Sequence, residues 1–575
     1  MAPPIPESKI ALSYPLYACD FDPQDSNKLI VGGGGGAGRS GVGNKITVLD
    51  ASHEAIQIVS EVELSRDEDN VTSLAVGQHK GRSTLVYAGI NSSAQDQEKG
   101  KNEHFRVFGV NSPSKTKVDV RQQITELART SLFSAKETDA YQRLLRISAP
   151  HGDAAQVGAV ATGLAKEAQI VLFDVAAGGG VAPKTRGKLD ITKEAVDLDI
   201  IQTGDDKYQL LYCDNYDIYI MDVAKGSTTG PECVYSMPHD VATGGGRPVF
   251  RSIRYLTPTF ILAVGNLPKR GGVVLWGYRL PKTGQEPGKA RIAASTRLPK
   301  SVAQATGLAV VNLSPPTSPG LKQGDSQFVI AVAGHDFSIS LYTLEHQVLA
   351  DIDLIVNLYP LHTFKNAHHG YITGMAFSHW TPPKPTARVQ FLKLASVSIG
   401  NTVSVHSIPL KKFIDKASPI KRGGPPRQPR YVVALKSKAP TMTALLVTIA
   451  VITALIGVLL QGFLEVKGAT APAQGFLAEL LAEKKLEKGD NVVLLSEELG
   501  AIEDPTKPAP IRVDAHDEST HGAARTWENL PPEQKHLWRE RLKAGGHWTA
   551  DMGETIFKGV LFSELAGVVG QVVGG

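Results

Sequence analysis

The feature that most constrains the fold is a long series of short apolar segments between residues 8 and 410. Each segment has five to eight residues rich in Val, Ile, Leu and Tyr and ends at Gly, Asp or Asn, which is typical of β-strands bounded by turns. The segments fall into seven groups of three to four. Repeated four-stranded units are typical of β-propellers, so we predict an all-β, seven-bladed WD-type propeller over residues 1–410. A tandem of β-sandwiches is the alternative architecture.

The last group is the closest to a WD repeat. It contains His369-Gly370, then the segment YITGMAFS, then LASVSIGNTVSVHSI, in which Gly400 and His406 replace the Asp and the terminal Trp of the WD pattern. The mean spacing of the groups, roughly 57 residues, exceeds the ~40–45 of a compact blade, so several loops must be long. The last group lacks an outer strand, whereas SKIALS near the N-terminus is a spare one. We predict that this N-terminal strand completes the last blade and closes the ring.

Helical periodicity is nearly absent from this part of the chain. The only modest helical candidate is VDVRQQITELARTSLFS, around residues 118–134. Glycine makes up 56 of 575 residues, about 10% against a usual ~7%, while aromatic residues make up only 6%. This composition favours many tight turns over a helical bundle.

Charge and cysteine content argue against several functions. The net charge of +4 is too small to indicate nucleic-acid binding. The three cysteines, Cys19, Cys213 and Cys233, are too few for a disulfide scaffold and form no CxxC pair, so we expect neither disulfides nor zinc. The segment HDESTH, residues 516–521, lacks the HExxH spacing and is expected to be a solvated loop rather than a metal site.

One long apolar segment lies near the C-terminal end of the chain. Residues 442–464 are 23 residues without a charge, and as a helix they would extend about 35 Å, enough to cross ~30 Å of hydrocarbon. We predict a single transmembrane helix over residues 441–464. Lys and Arg dominate residues 411–440, a Pro- and Gly-rich segment that we interpret as a flexible stalk on the cytosolic side. Residues 465–575 would then be a small, partly helical lumenal region.

The most unusual segment is the glycine-rich loop, residues 31–46, within the sequence VGGGGGAGRSGVGNKITVLD. Residues 36–41 match GxGxxG, and residues 38–45 miss the P-loop spacing by one position. Both phosphate-binding motifs need a helix after the loop, because its N-terminus supplies the N–H groups that hold the phosphate. Here the alternating segment KITVLD predicts a strand instead, so nucleotide binding by this chain alone is not favoured.

A loop so rich in glycine is entropically costly to order. A cation held by inward-facing backbone carbonyls would offset that cost and would make the residues from Arg39 to Asn44 a preorganised protrusion. A flexible glycine hairpin without a role is the alternative interpretation.

The glycine run after the second strand, the Asn44-Lys45 pair before an ITVL strand, the seven degenerate blades and the single apolar span together resemble the Sec-twelve family. Its members are endoplasmic-reticulum guanine nucleotide exchange factors for the Sar-type small GTPase that starts COPII coat assembly. The resemblance covers residues 8–464, and the loop is its discriminating motif. It implies a potassium ion bound through backbone oxygens between Gly33 and Asn44, and a GTPase contact at Asn44 with its neighbours Val42 and Ile46. The glycines assigned to the ion are Gly33, Gly34, Gly35, Gly36, Gly38, Gly41 and Gly43.

The resemblance also implies the mechanism and the compartment. An exchange factor makes no covalent bond; it binds the nucleotide-free GTPase better than the GDP-bound form and so accelerates GDP release. The expected partners are the Sar-type GTPase and the endoplasmic-reticulum membrane, with a cytosolic propeller, a lumenal C-terminus and the Golgi as a further location. The chain ends in VVGG rather than an HDEL-type signal, so retention is expected to come from the span or from a retrieval receptor. The alternative function is a membrane-anchored scaffold that recruits coat or cargo without exchange activity.

Overall fold

The structure is a computed structural model. It describes residues 5–38, 41–111, 123–134, 139–152, 155–175, 181–239, 246–281, 289–349, 352–380, 390–413 and 430–434, together with short pieces beyond residue 452. The chain divides into two compact units, Met1–Lys438 and Ala439–Gly575.

The first unit is a β-propeller of seven antiparallel blades. In six of them the strands follow one another in chain order, and the seventh also includes the first strand of the chain. The first blade contains β2 (Leu16–Asp22), β3 (Asp25–Gly33), β4 (Lys45–Asp50) and β5 (Gln57–Glu63). The second contains β6 (Ser73–Lys80), β7 (Ser83–Gly89), β8 (Phe105–Asn111) and β9 (Ile124–Thr130), with the short helix α1 (Ala94–Glu98) between β7 and β8. The third contains β10 (Tyr141–Ile147), β11 (Gln156–Gly163), β12 (Ala168–Val175) and β13 (Lys184–Ile191).

The remaining blades repeat this arrangement. The fourth contains β14 (Asp197–Gly204), β15 (Lys207–Cys213), β16 (Asp217–Ala224) and β17 (Ser227–Ser236). The fifth contains β18 (Val249–Thr257), β19 (Phe260–Asn266), β20 (Val273–Arg279) and β21 (Arg291–Arg297), with a 3₁₀ helix at Pro268–Arg270. The sixth contains β22 (Ala305–Asn312), β23 (Ser326–Gly334), β24 (Ile339–Leu349) and β25 (Ile352–Phe364). The seventh contains β26 (Ile372–Phe377), β27 (Gln390–Ser398) and β28 (Thr402–Phe413) with β1 (Glu7–Ala11) and β29 (Arg430–Val433).

The hydrophobic core is divided among the interfaces between neighbouring blades. One cluster, for example, packs Ile30, Ile46 and Val48 of the first blade against Val86 and Phe108 of the second. The second strands of most blades are nearly continuous in buried apolar residues because both of their faces meet a neighbouring blade. The prediction of seven blades is confirmed, and this strand order excludes a tandem of sandwiches.

The N-terminal strand closes the ring, as predicted. Strand β1 pairs with β28 from Glu7 opposite His406 to Ala11 opposite Thr402, so the first strand of the chain is the outer strand of the last blade. The Glu7 carboxylate lies 3.1 Å from His406 Nε2 and accepts a hydrogen bond from Ser404 Oγ at 2.9 Å. The close contact with His406 holds the pKa of Glu7 at about 2 despite partial burial. The carboxylate therefore stabilises this seam in its charged form.

The WD-like histidine is one residue earlier than predicted. His369 is exposed, whereas His368 is buried, with Nδ1 2.6 Å from Thr402 Oγ1 and Nε2 2.8 Å from Ser396 Oγ. Burial lowers the pKa of His368 to about 4, so the ring is neutral at pH 7. Consecutive histidines made the assignment ambiguous, and the hydroxyl groups that select one of them come from distant strands.

Two other sequence expectations differ from the structure. Residues 124–130 of the expected helix form β9, because backbone pairing with β8 overrides a modest helical pattern; residues 118–122 lie outside the described part. The last blade also passes the expected boundary at residue 410, since β28 continues to Phe413 and pairs with β29. Residues 411–413 and 430–433 of the predicted stalk are therefore strand.

The second unit is described only in pieces. Strands β30 (Asn491–Ser496), β31 (Ile511–Asp514), β32 (Ala524–Thr526), β33 (Val560–Ser563) and β34 (Val568–Val572) form an antiparallel sheet in the order β31-β30-β34-β33-β32. This sheet was not predicted from the sequence, because its strands are short and far apart along the chain. The described residues Pro532, Lys535, His536 and Glu540 are helical, within one of the segments predicted to be so.

The predicted span, residues 441–464, lies outside the described residues except for Thr453, which is helical. Within the part of the chain that the structure describes, no helix has the length and apolar character needed to cross a membrane.

The Glu7 contact predicts a pH-dependent contribution to ring closure. Glu7→Gln should lower the free energy of unfolding at pH 7 by about 1 kcal/mol, less than a buried charged hydrogen bond because the carboxylate is about one-third exposed. The pKa of Glu7 falls from its ordinary 4.5 to about 2, so its contribution is present above pH 4.5 and is lost as the pH falls towards 2. Urea denaturation at several pH values measures it. The exposed Glu98→Gln is the control; equal stability of both variants at pH 7 would contradict the prediction.

Candidate functional site

The glycine-rich loop connects the second and third strands of the first blade. Strand β3 ends at Gly33, which pairs with Lys45 at the start of β4, so residues 34–44 form the loop. Residues 39 and 40 lie outside the described part. The predicted strand–loop–strand arrangement is confirmed, and no helix follows the loop, as a P-loop or GxGxxG site would require.

The base of the loop is packed too tightly for any side chain. A Cβ atom at Gly33 would lie 2.0 Å from the backbone oxygen of Pro15, and Gly34 N donates a hydrogen bond to that same oxygen at 2.9 Å. Gly34 also has φ of 145°, which favours glycine strongly. Because Gly33 and Gly34 have no side chains, the backbone of the loop can approach Pro15 closely. This contact fixes the direction in which the loop leaves the blade.

Asn44 closes the loop from inside. Its Oδ1 accepts a hydrogen bond from Gly36 N at 2.9 Å, and its Nδ2 donates to Glu68 O at 2.7 Å. Its backbone oxygen accepts from Leu64 N at 2.8 Å. The residue is fully buried. One side chain thus joins both halves of the loop to the segment that leads into the second blade.

That segment is itself anchored by a charged cluster. The Glu68 carboxylate accepts two hydrogen bonds from the buried Arg106 guanidinium, at 2.8 and 3.0 Å. Arg129 also donates to it, at 3.2 Å. A paired, two-point contact of this kind fixes orientation as well as distance. The position of the Glu68 backbone oxygen, and hence of Asn44, is therefore determined by the second blade.

A half-buried carboxylate lies beside the loop. A Cβ at Gly36 would be 3.0 Å from Asp69 Oδ1, and burial raises the pKa of Asp69. Asp69 Oδ1 accepts a hydrogen bond from Asn70 N at 2.8 Å, and among the described residues Asp69 forms no ion pair. Its negative charge also contributes to the raised pKa of Tyr17, for which burial is the larger cause.

The structure changes the interpretation of two predicted contact residues. A direct contact through the Asn44 side chain would need that side chain to be exposed, whereas it is fully buried beneath the loop. Ile46 is likewise fully buried, in the core between the first two blades. Val42 is half-buried, whereas Ala37, Gly38 and Gly41 are exposed. The GTPase contact predicted for Asn44, Val42 and Ile46 stays a prediction.

Sequence reasoning missed Glu68, Asp69 and Arg106, which hold or border the loop. Arg106 carried a signal, since it interrupts the otherwise apolar strand segment FRVFGV, and an arginine in such a strand needs a buried partner. Nothing in the sequence around Glu68 and Asp69 distinguishes them from an ordinary acidic loop.

The structure also describes the other candidate metal ligands. Cys19 and Cys213 are buried and free, and Cys233 is exposed and free. In the described ranges, no group of three or more His, Cys, Asp or Glu side chains is placed to hold a metal ion. The segment 516–521 lies outside them. The ligands predicted for potassium are backbone oxygens, which are separate from these side chains.

Comparisons with known proteins return likenesses of fold only. No family model and no curated protein matches the chain. Among solved structures it is similar to Sqt1 of Chaetomium thermophilum, at 13% identity and a TM-score of 0.41 over 69% of this chain and 95% of that one. It is similar to the same protein bound to the N-terminus of ribosomal protein L10, at 13% identity and 0.40 over 70% and 98%. The Dos1 propeller is similar at 13% identity and 0.39 over 70% and 95%. These similarities are too weak to indicate a function. The assignment of the fold is based on the strand order described above.

The Asn44 clamp predicts a destabilised and opened loop in Asn44→Ala. Gly36 N and Glu68 O would lose their buried partner, so the free energy of unfolding should fall by about 1–3 kcal/mol. Hydrogen exchange followed by mass spectrometry should show faster exchange at residues 34–38, while β3 and β4 stay protected. The half-buried neighbour Asn70, whose side chain has no hydrogen bond among the described contacts, provides the control Asn70→Ala. Unchanged exchange at Gly36 in Asn44→Ala would contradict the clamp.

Proposed function

We propose that this chain is a guanine nucleotide exchange factor for a Sar-type small GTPase, and that the glycine-rich loop engages the GTPase. The observation that carries the proposal is the Asn44 clamp, which holds the base of the glycine-rich loop in place at one end of a rigid blade. A loop already held in one conformation loses less entropy on binding than a free one. This is the property expected of a recognition protrusion.

The exposed part of the loop supplies the contact in this proposal. Ala37, Gly38 and Gly41 are exposed and Val42 is half-buried, so the distal residues form the surface that a partner meets. Asn44 and Ile46 are buried and act indirectly. Asn44 fixes the loop, and Ile46 anchors β4 in the core. Asn44 is therefore a positioning residue.

Exchange then follows from differential affinity rather than covalent chemistry. A rigid loop that fits the nucleotide-free GTPase better than the GDP-bound form lowers the free energy of the state from which GDP has left. Each tenfold acceleration requires about 1.4 kcal/mol of this preference. The loop's connections to both the first and the second blade supply the rigidity that such selection needs.

The proposal includes a potassium ion at the loop. The donor types present suit it chemically, because the backbone oxygens of the loop and the neighbouring Asp69 carboxylate are oxygen ligands of the kind hard cations prefer. Asp69 borders Gly36, is half-buried and has no ion-pair partner among the described residues. When bound, the ion would supply a positive charge that holds the carbonyl oxygens of residues 33–44 together. Asp69 itself would orient the loop towards the second blade.

The proposal also includes anchoring to the endoplasmic-reticulum membrane. Its support comes from the sequence, namely the uncharged residues 442–464 and the basic flank at residues 411–440. Anchoring would place the activated GTPase at the surface into which it inserts an amphipathic helix.

The exchange activity is tested by GDP release from a Sar-type GTPase. The full chain should accelerate release, and Asn44→Ala should reduce the acceleration at least ~10-fold, or about 1.4 kcal/mol. Glu68→Gln should also reduce it, because it weakens the two-point contact with Arg106 that positions the clamp. Lys45→Ala is the control, since Lys45 pairs with Glu61 at 2.6 Å on the outer side of the blade.

The outcomes separate positioning from contact and from the scaffold alternative. If Glu68→Gln loses nucleotide exchange activity and also shows faster hydrogen exchange at residues 34–38, then Glu68 and Asn44 act through the shape of the loop. Wild-type exchange activity in a folded Asn44→Ala protein would refute the assignment and direct attention to Arg39. No acceleration by the wild-type chain, together with binding to the GTPase, would favour a recruiting scaffold.

The potassium site is tested by cation replacement without any activity measurement. Exchanging potassium for sodium, or for a bulky organic cation, should make residues 34–44 more susceptible to protease while the thermal transition of the blades stays unchanged. Asp69→Asn should reduce this dependence on the cation, whereas Asp67→Asn, at an exposed neighbouring position, should not. Equal protease susceptibility in all three salts would remove the ion from the proposal.

A further inference from the structure

A cavity of about 240 Å³ lies on the axis of the propeller. It is lined by residues of the innermost strand of every blade, β2, β6, β10, β14, β18, β22 and β26. A cavity of this size admits several water molecules or a small anion. Each of the seven blades therefore contributes residues to the wall of the cavity.

Five of the lining residues occupy equivalent β-bulges. The pairing register of the inner strand shifts at one residue near its start in five blades. A bulge re-aims the side chain of the extra residue, and here all five line the cavity. They are Tyr17, Arg143, Arg251, Thr306 and Thr373. Since Leu16 pairs with Gly33, this end of the cavity is the end at which the glycine-rich loop leaves the first blade.

The lining carries more positive than negative charge. Four arginines and a single carboxylate, that of Asp197, border the cavity. The four arginines come from the matching segments RLLR, residues 143–146, and RSIR, residues 251–254. Arg254 pairs with Asp197 at 2.6 Å, and Arg143 pairs with Glu194. Two arginines are left without a close carboxylate of their own.

These two are Arg251 and Arg146. Among the described residues Arg251 makes no hydrogen bond or ion pair. Arg146 reaches Asp197 only at 3.8 Å, and its Nε is buried without a partner. Burial lowers the pKa of both side chains, yet guanidinium groups stay protonated in proteins. Both residues are half-buried, and Arg146 Nη1 donates only to Leu145 O, at 3.3 Å. A bound anion would accept the hydrogen bonds that these two guanidinium groups do not make within the chain.

Two neighbouring carboxylates, those of Asp20 and Asp199, attract Arg146 electrostatically from behind the lining. Asp20 and Asp199 do not line the cavity. Asp20 accepts a hydrogen bond from Val76 N at 2.9 Å and Asp199 accepts one from Tyr255 N at 2.8 Å, so each joins its blade to the next. Burial raises the pKa of Asp20 to about 6.

A hydroxyl group completes the donor set. Thr306 Oγ1 is buried and has no hydrogen-bond partner. Its residue occupies the bulge of the sixth blade, next to the blade that carries Arg251. Unsatisfied buried donors around a polar cavity indicate a missing hydrogen-bond acceptor. Arginine's planar fork suits the oxygens of a tetrahedral oxyanion better than a single-point acceptor.

We propose that this axial cavity binds a small phosphate-class oxyanion, either free or as the phosphate group of a larger metabolite. Arg251 and Arg146 supply the charge, and the Thr306 hydroxyl supplies a directed hydrogen bond. The site is independent of the exchange function proposed for the glycine-rich loop, because none of these residues contributes to the loop.

Pyrophosphate is the probe for this site. Isothermal titration calorimetry of the full chain at constant ionic strength should show saturable binding with one site per chain, and inorganic phosphate should compete while acetate competes poorly. Arg251→Gln should weaken the affinity at least ~10-fold, since it removes a charged hydrogen-bond donor. Arg297→Gln provides the matched control, because Arg297 is an exposed arginine on the outer strand of the same blade. Absence of saturable binding, or equal affinity in wild type and a folded Arg251→Gln protein, would overturn the proposal.

A second measurement does not depend on a variant that folds. Phenylglyoxal modifies accessible arginines, and mass spectrometry locates the products in the wild-type chain. Pyrophosphate should protect Arg251 and leave Arg297 reactive. Equal modification of Arg251 with and without pyrophosphate would contradict binding at the axial cavity. Competition by a phosphorylated metabolite stronger than that of inorganic phosphate would identify the larger form of the ligand.

Discussion

The structure depends on the pairing of its first strand with its last full strand. A ring of blades must be closed if no free sheet edge is to remain between neighbouring blades. Here β1 closes the ring by pairing with β28 and so completing the seventh blade. The seam includes the Glu7 carboxylate beside His406, which joins residues at opposite ends of the propeller sequence. Closure holds the first blade in place, and the first blade carries the glycine-rich loop. The geometry of the candidate site is therefore a consequence of ring closure.

Two kinds of polar contact then convert the closed ring into defined surfaces. Between blades, Asp20 accepts a hydrogen bond from Val76 N and Asp199 accepts one from Tyr255 N, which fixes the first blade relative to the second and the fourth relative to the fifth. At the loop, Asn44 joins the glycine run to Glu68, and Glu68 is held by Arg106 in the second blade. A buried amide is costly unless every group finds a partner, so this clamp selects one loop shape. A recognition element attached to two blades can resist deformation by a partner better than one attached to a single hairpin.

The sequence predicted the architecture well because strand length, turn residues and the spare N-terminal strand are local patterns. It placed the loop between two strands for the same reason. It misjudged Asn44, since the partners Gly36 and Glu68 that bury this side chain are brought to it by the fold. It chose His369 rather than His368, since Ser396 and Thr402 decide between them. It also treated residues 124–130 as helical, because cross-strand pairing with β8 has no local pattern in the sequence. The axial positions of Arg143 and Arg251 were unpredictable for a related reason: both residues occupy β-bulges, and a bulge depends on the register of a neighbouring strand.

The central claim is that the distal part of the loop meets a small GTPase while Asn44 holds it from below. Photocrosslinking tests it most directly. A photoreactive phenylalanine analogue at Ala37, an exposed loop position, should crosslink to a nucleotide-free Sar-type GTPase, and excess GDP should reduce the yield. The same analogue at Ile58, which is 52% exposed on the outer strand of the same blade, should not. Crosslinking from Ile58 but not from Ala37, or an equal yield from Ala37 with and without GDP, would contradict the account.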